Sequence, residues 1–204
     1  MLKINHILVV QSHHSKIKKM SRSIAITAVD GHTGFLIAEL LLTDDTFKKK
    51  IRTVAGLSLN PHSESAQELS SLGAKIVPHK PGDLKTMVSS LQELKADVMC
   101  LIPPAHKKKY DITVELIEAT KQAGIPNVCF LSSAGCDLAE RDKQPSLRQF
   151  IDLETLFMAS KGDASTSTGH SPVVIRYYSP GFPLSKSNAR LTVEPGPGSM
   201  QRIC

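Results

Sequence analysis

The chain has 204 residues, 41% of them hydrophobic and 22% charged, proportions typical of one globular domain and not of a disordered chain, a coiled coil or a collagen-like fibre. No apolar run approaches the roughly 18 residues that cross a bilayer, so we expect no membrane partner. The net charge of +6 belongs to the two ends of the chain, while residues 20–177 are balanced. A nucleic-acid-binding fold carries its charge on one packed face, so we expect no direct nucleic-acid binding.

The cysteines and histidines indicate neither a disulfide framework nor a metal site. The four cysteines form no CxxC pair, and the histidines lie singly or in loops without thiols or carboxylates at ligand spacing. We therefore expect reduced thiols, no bound metal, and a location in the cytoplasm, with the nucleus as a second compartment.

From Ser23 onward, short β-branched runs alternate with amphipathic helical patterns. The strands are predicted over Ile24–Val29, Ile51–Leu59, Lys75–Val77, Asp97–Ile102, Val128–Leu131 and Val173–Arg176. The helices are predicted over Phe35–Thr43, Ser63–Leu72, Leu84–Leu94, Asp111–Ala123 and Leu147–Ser160. Six apolar strands separated by five helices predict an α/β fold, a doubly wound six-stranded parallel sheet covered on both faces.

The two ends of the chain depart from this alternation. Residues 1–20 form a basic N-terminal extension, and residues 178–204 form an irregular tail rich in proline and glycine. No helix pattern follows Arg176, so we expect an uncovered apolar patch beside strands five and six. Exposed apolar surface of this kind favours self-association.

A glycine-containing turn, Gly31-His-Thr-Gly34, follows the first strand and opens the first helix. In this setting it predicts a cradle for a dinucleotide pyrophosphate at the helix N-terminus. Gly31 allows the sharp turn, and Gly34 allows backbone amides to approach the anion. Ile37 stands where a third glycine is expected, and its larger side chain should move the helix outward from the strand. The alternative is a turn kept for structure alone.

The end of the second strand bears on the choice of dinucleotide. It continues as Ser-Leu-Asn60-Pro-His62-Ser, without a carboxylate to bind the ribose hydroxyls. A carboxylate would repel a 2′-phosphate, so this pattern favours NADP over NAD. An ordinary polar loop explains the same residues equally well.

Four segments in order resemble the NmrA-like family, atypical short-chain dehydrogenase/reductases, in a fungal form. They are IAITAVDGHTGFLIAELLL, ADVMCLIPP, IPNVCFLSSAG and STGHSPVVIR. The resemblance covers residues 21–177 and implies an NAD(P)-binding Rossmann domain with strand order 3-2-1-4-5-6. By the same resemblance, the cofactor-binding residues are those around the pyrophosphate, the adenine and the nicotinamide: Gly31, His32, Thr33, Gly34, Phe35, Asn60, His62, Lys80, Ile102, Pro103 and Ser132.

The chain departs from the family pattern at three places. Lys80 stands where relatives more often have aspartate. The Tyr-x-x-x-Lys pair that reductases use for proton transfer is absent from the helix after strand five, where Phe150 occupies the lysine position. Ser132 and Ser133 then lack a proton-transfer partner, and we expect them to bind backbone groups. The substrate lobe that follows strand six in relatives is largely missing, which suggests C-terminal truncation.

These features support three hypotheses about function. The first is a non-catalytic NAD(P)-binding regulator that senses redox state through a protein partner, with no catalytic residue. The second is an NAD(P)H-dependent oxidoreductase of small carbonyl or quinone substrates, and the third is a fragment that keeps the fold without a ligand. The missing tyrosine and lysine favour the first hypothesis.

Overall fold

The computed structural model describes residues 22–160, 171–177 and 192–193, with side chains described for 22–160. Its seven strands form one sheet in the order β3-β2-β1-β4-β5-β6-β7. The strands are β1 (Arg22–Ile26), β2 (Ile51–Ser58), β3 (Lys75–Pro78), β4 (Val98–Leu101), β5 (Asn127–Ser133), β6 (Ser171–Tyr177) and β7 (Thr192–Val193). All neighbours from β3 to β6 are parallel, which confirms the predicted fold and strand order.

Helices connect the parallel strands and cover the sheet. They are α1 (His32–Thr43), α2 (Asp45–Lys48), α3 (Glu64–Ser71), α4 (Leu84–Leu94), α5 (Lys109–Gln122) and α6 (Pro145–Ala159). Searched over the described residues, these helices include none with the length and apolarity needed to cross a membrane.

Two apolar clusters fill the two faces of the sheet. On the first face, side chains of α4, α5 and α6 pack on strand residues that include Leu101 and Phe130, and the Phe130 ring stacks on Phe157 with centroids 5.4 Å apart. On the second face, Ala38 of α1 and Leu69 of α3 pack against β1 and β2. Apolar side chains on both faces are typical of parallel sheets, whose strands are commonly covered by helices on either side.

The first helix begins earlier than its apolar pattern indicates, because backbone geometry and not hydrophobic spacing sets its start. β1 ends at Ile26, three residues before the predicted strand end, and α1 begins at His32 directly after the extended residue Gly31. The loop between them is therefore only five residues long. It places the polar residues of the glycine motif in the first turn of α1.

Three short elements have no counterpart in the predicted pattern, one of them within the tail that was predicted to be irregular. Asp44 accepts hydrogen bonds from the amides of Thr46 and Phe47 and so starts α2, while a 3₁₀ turn spans Cys136–Leu138 after β5. Beyond β6, the two residues of β7 pair antiparallel with Ile175 and Arg176. The predicted N-terminal extension and the rest of the tail lie outside the described residues.

Candidate functional site

The site lies where the strand order reverses, between β1 and β4, at the carboxyl ends of the parallel strands. Crevices at such switch points are where doubly wound sheets bind ligands. The Thr27 hydroxyl joins the two strand ends: it accepts a hydrogen bond from the Ile102 amide at 2.6 Å and donates to the Ile102 carbonyl at 2.9 Å. The loop after β1 and Ile102 at the end of β4 are thus held together.

The first turn of α1 faces this crevice with open hydrogen-bond donors. Gly31 supplies no side-chain cap, and no acidic side chain lies in the first turn. Within the described residues, the amides of His32, Thr33 and Gly34 have no acceptor, and the first intrahelical bond runs from Phe35 to the Gly31 carbonyl at 2.9 Å. Unpaired amides at the positive end of a twelve-residue helix are suited to an anion such as a pyrophosphate.

Gly34 has a different role from the one the sequence pattern suggests. A β-carbon built on Gly34 would lie 2.3 Å from the Ala28 carbonyl oxygen and 2.9 Å from the Thr27 carbonyl oxygen. Gly34 is therefore the glycine that allows close packing of helix on strand, not the one that opens the backbone to the pyrophosphate. The prediction that Ile37 displaces the helix is wrong, because α1 already packs closely at Gly34.

The motif position without a glycine is the first one, which Ala28 occupies, and not the third. Ala28 adopts a left-handed backbone with φ +52°, a conformation that favours glycine. The motif is thus Ala28-x-x-Gly31-x-x-Gly34, shifted by three residues from the frame predicted from sequence. In this frame Gly31 takes the second position of the motif, the one that in dinucleotide-binding folds lets the backbone approach the pyrophosphate.

A carboxylate does reach the end of β2, contrary to the argument from sequence. Asp30, in the loop after β1, accepts a hydrogen bond from the Asn60 amide at 3.0 Å, and the Ser58 hydroxyl accepts from the same amide at 3.0 Å. The local sequence after β2 contains no acid, so only the tertiary structure reveals Asp30 there. The stated ground for preferring NADP over NAD is therefore removed.

The end of β3 carries a buried acid–base pair that the sequence pattern did not indicate. The side chain of His79 is 4% exposed, and its Nε2 lies 3.7 Å from Glu115 Oε1. Glu115 Oε2 accepts a hydrogen bond from the Gly82 amide at 2.6 Å. Burial lowers the pKa of His79, and the carboxylates of Glu115 and Asp30 oppose that effect. The net effect favours the neutral form of His79 at the end of β3.

Several predicted residues lie at the same edge of the sheet without a hydrogen bond to the glycine turn among the described residues. The side chains of His62 and Lys80 are exposed, Phe35 and Pro103 are half-buried, and Ser132 is buried at the end of β5. Their places at the carboxyl ends of β2 to β5 agree with a crevice that crosses the sheet. Their contacts with a ligand stay predictions.

Ser132 lies beside Cys136 of the 3₁₀ turn. Its hydroxyl lies 3.9 Å from Cys136 Sγ, and Cys136 in turn donates to Glu154 Oε1 at 3.5 Å. The expectation that Ser132 binds a backbone group is not met among its described contacts. The 3₁₀ turn after β5 is what brings Cys136 back under the strand end.

A lysine from another helix occupies the region of the missing lysine of α6. Lys109, at the start of α5, has its Nζ 4.4 Å from the centroid of the Phe150 ring and donates to the Ser146 carbonyl at 2.5 Å. Burial lowers the pKa of Lys109. The sequence of α6 alone could not reveal the Lys109 ammonium, because Lys109 belongs to the basic segment between β4 and α5.

No family model matches the chain. A curated relative, an NmrA-like family domain-containing protein of Dictyostelium discoideum, is 24% identical over 140 residues, which cover 66% of this chain and 44% of that protein. This chain thus spans less than half the length of that relative. The relative confirms the resemblance to the NmrA-like family, while the fungal type and the truncation stay predictions.

Solved structures show the same fold. The Escherichia coli NADPH-dependent quinone oxidoreductase with NADPH aligns at a TM-score of 0.55 and 22% identity, over 74% of this chain and 46% of its own. The Citrobacter triphenylmethane reductase with NADP(H) aligns at 0.57 and 14%, over 76% and 49%. The Bordetella bronchiseptica enzyme WbmH with NAD⁺ aligns at 0.57 and 14%, over 76% and 55%.

Proposed function

We propose that this NmrA-like chain binds an NAD(P) dinucleotide across the β1–β4 switch point and acts as a redox-sensing regulator without turnover. The observation that carries the proposal is the open first turn of α1, whose three unpaired amides follow an uncapped Gly31. The pyrophosphate would pass beside Gly31 and accept hydrogen bonds from the amides of His32, Thr33 and Gly34 at this positive helix end. As part of the same proposal, the protein is located in the cytoplasm or the nucleus and passes the redox signal to a protein partner.

The two ends of the dinucleotide would extend in opposite directions from this turn. Ile102, Pro103 and Ser132 lie on the β4–β5 side and would contact the nicotinamide half, while Asn60 and His79 lie on the β2–β3 side with the adenosine half. The Thr27 bridge to Ile102 and the Asp30 bridge to Asn60 keep both sides at a fixed distance from the turn. Preorganisation of this kind lowers the cost of ordering the site on binding.

The primary test replaces Gly31 by aspartate, with Gly31→Ser as the matched control. Gly31 has an ordinary extended backbone, φ −98° and ψ 157°, and a β-carbon there would lie 3.3 Å from the Ala28 carbonyl oxygen. Both variants carry this β-carbon and a side chain that caps helices well, but only aspartate brings a negative charge to the pyrophosphate path.

Calorimetric titration with NAD⁺, NADH, NADP⁺ and NADPH provides the measurement. We expect Gly31→Asp to lose at least about 100-fold in affinity, equivalent to roughly 2.7 kcal/mol, while Gly31→Ser keeps most of it. Equal affinity of Gly31→Asp and the unmodified chain would contradict the proposed site. If the chain is well folded but binds none of the four dinucleotides, the result favours the third hypothesis, a fragment that keeps the fold and binds no ligand.

Asp30 provides a test of dinucleotide choice. Its carboxylate lies at the end of β2, where a 2′-phosphate would be held, so Asp30→Asn removes a repulsive charge and keeps an acceptor for the Asn60 amide. We expect the ratio of NADP(H) to NAD(H) affinity to rise about tenfold, an effect of about 1.4 kcal/mol. An unchanged ratio would place the ribose away from Asp30.

The second candidate is an NAD(P)H-dependent oxidoreductase of small carbonyl or quinone substrates, favoured by Lys109. Burial lowers the pKa of this ammonium, which lies beside Phe150 at the position where family members keep a lysine on α6. A lysine there could orient the cofactor or a carbonyl oxygen. NADPH oxidation with quinones, aldehydes and ketones distinguishes the candidates: turnover that Lys109→Met abolishes supports the enzyme, and its absence supports the regulator.

A further inference from the structure

Two cysteines on neighbouring strands lie side by side in the sheet. Cys100 of β4 and Cys129 of β5 are register partners in the parallel ladder. Side chains at paired positions of adjacent strands point to the same face. Both residues are partly exposed, in contrast to Met99, Leu101, Val128 and Phe130 beside them, which are buried on the other face.

The spacing of the strands suits a bond between the two sulfur atoms. Adjacent strands lie about 4.8 Å apart, within the range of roughly 4.4 to 6.8 Å that Cα atoms of a disulfide span. The β-carbons of parallel partners are about as far apart as the strands, whereas those of a relaxed disulfide lie about 3.8 Å apart. Closing the bond must therefore draw β4 and β5 together, which makes it strained and easily reduced.

The two thiols are chemically unequal, because one donates a hydrogen bond to the other. The bond from the Cys100 thiol lowers the pKa of Cys129, while the same interaction and burial raise the pKa of Cys100. Cys129 is thus the partner that becomes a thiolate first, and the thiolate is the nucleophile in thiol–disulfide exchange.

We propose that Cys100 and Cys129 form a dithiol modification site that low-molecular-weight disulfides oxidise to a reversible intramolecular disulfide. The Cys129 thiolate attacks one sulfur of the reagent RSSR, forming a mixed disulfide and releasing RS⁻. Cys100 then loses its proton and attacks Cys129 Sγ, which expels the second RS⁻. The two protein thiols give up two electrons and two protons, and the reagent leaves as two molecules of RSH.

The experiment incubates the full chain, with Cys204→Ser to remove the fourth thiol, with glutathione disulfide at neutral pH. After alkylation of free thiols, we expect intact-mass and peptide analysis to show one internal disulfide between Cys100 and Cys129. Buried Cys136 should be unmodified until the chain unfolds. Addition of excess reduced glutathione should restore both thiols, because the strained bond has a high reduction potential.

Single variants separate the two roles. Cys100→Ser should stop at the mixed disulfide with glutathione on Cys129. Cys129→Ser should leave Cys100 slower to react than Cys129 is in Cys100→Ser, because burial still raises the pKa of Cys100 after its partner is removed. Alanine variants at both positions and a urea unfolding curve for each protein confirm that the fold is retained. A wild-type product with glutathione on both cysteines and no internal bond, or faster reaction of Cys100 than of Cys129, would overturn the proposal.

Discussion

The two faces of the sheet differ in how completely helices cover them. On the face of α4, α5 and α6, side chains of β4 and β5 such as Leu101 and Phe130 are fully buried. On the face of α1 and α3, the described helices lie over β2 and β3, and the alternate residues Val98, Cys100, Cys129 and Leu131 stay partly exposed. We call these four residues the open patch.

This difference shows that burial in a doubly wound sheet depends on which connection crosses which face, not on the strand sequence. β5 has apolar side chains on both faces, yet only every second one is buried. The uncovered patch predicted beside strands five and six stays a prediction, because the side chains of β6 lie outside those that the structure describes. Self-association through the open patch stays a prediction, which sedimentation at increasing concentration would test.

The largest expected effect on stability comes from the same leucine-to-alanine substitution made on each face of the sheet. Leu101→Ala removes a fully buried side chain and should cost about 2 to 5 kcal/mol of unfolding free energy. Leu131→Ala, in the open patch, should cost no more than about half as much, because its side chain already contacts solvent. Urea unfolding of both variants gives the two values. Equal losses would show that Leu131 is covered as well as Leu101.

A smaller effect is expected where the second face is most tightly packed, at Gly34. Gly34→Ala places a methyl group 2.3 Å from the Ala28 carbonyl oxygen, so we expect a loss of about 1 to 3 kcal/mol. In an unobstructed helix the same substitution stabilises by about 1 kcal/mol, so the sign of the change is diagnostic. Thermal unfolding provides the measurement, and a gain in stability would refute the close-packing role.

The third prediction distinguishes the two frames of the glycine motif. Ala28→Gly relieves a left-handed alanine that costs roughly 1 to 2 kcal/mol, part of which the greater unfolded-state entropy of glycine offsets. We expect a net gain below about 1 kcal/mol. Ile37→Gly should lose about 1 kcal/mol or more through helix propensity and lost packing, without a gain in dinucleotide affinity. Tighter dinucleotide binding by Ile37→Gly would instead support the motif frame predicted from sequence, with Ile37 at the third glycine position.

The smallest expected effect is on the pH dependence of stability, at His79, where the end of β3 contacts Glu115 of α5. Because burial lowers the pKa of His79, the folded state binds fewer protons than the unfolded state as pH falls through the ordinary histidine value of about 6.5. Stability contributed by neutral His79 is therefore present above that value and is lost as pH falls toward the folded-state pKa. His79→Gln should flatten the dependence of unfolding free energy on pH in this window. The same change at exposed His62 is the control, and an identical effect there would contradict the assignment.

Much of the site was recognisable from the local sequence, and the errors have a common cause. The glycine motif, the strand ends and Ile102 are local features, so their places at one edge of the sheet followed from the predicted strand order. The motif frame was wrong because a left-handed alanine looks like any alanine in a sequence. Asp30 and Lys109 were missed because each acts at the end of an element other than its own, and the role of His79 was missed because its partner Glu115 comes from α5.

The amino-acid sequence by itself determined the main strands and helices and the parallel sheet, and its resemblance to the NmrA-like family implied the strand order. Alternation of apolar strands with amphipathic helices, linked by short right-handed crossovers, leaves few arrangements that bury every apolar face. Only the tertiary structure decided which charges meet at the crevice, which glycine is the close-packing one, and that Cys100 lies beside Cys129. These depend on distances of a few ångströms between residues that are far apart in the chain, and hydrophobic periodicity does not encode such distances.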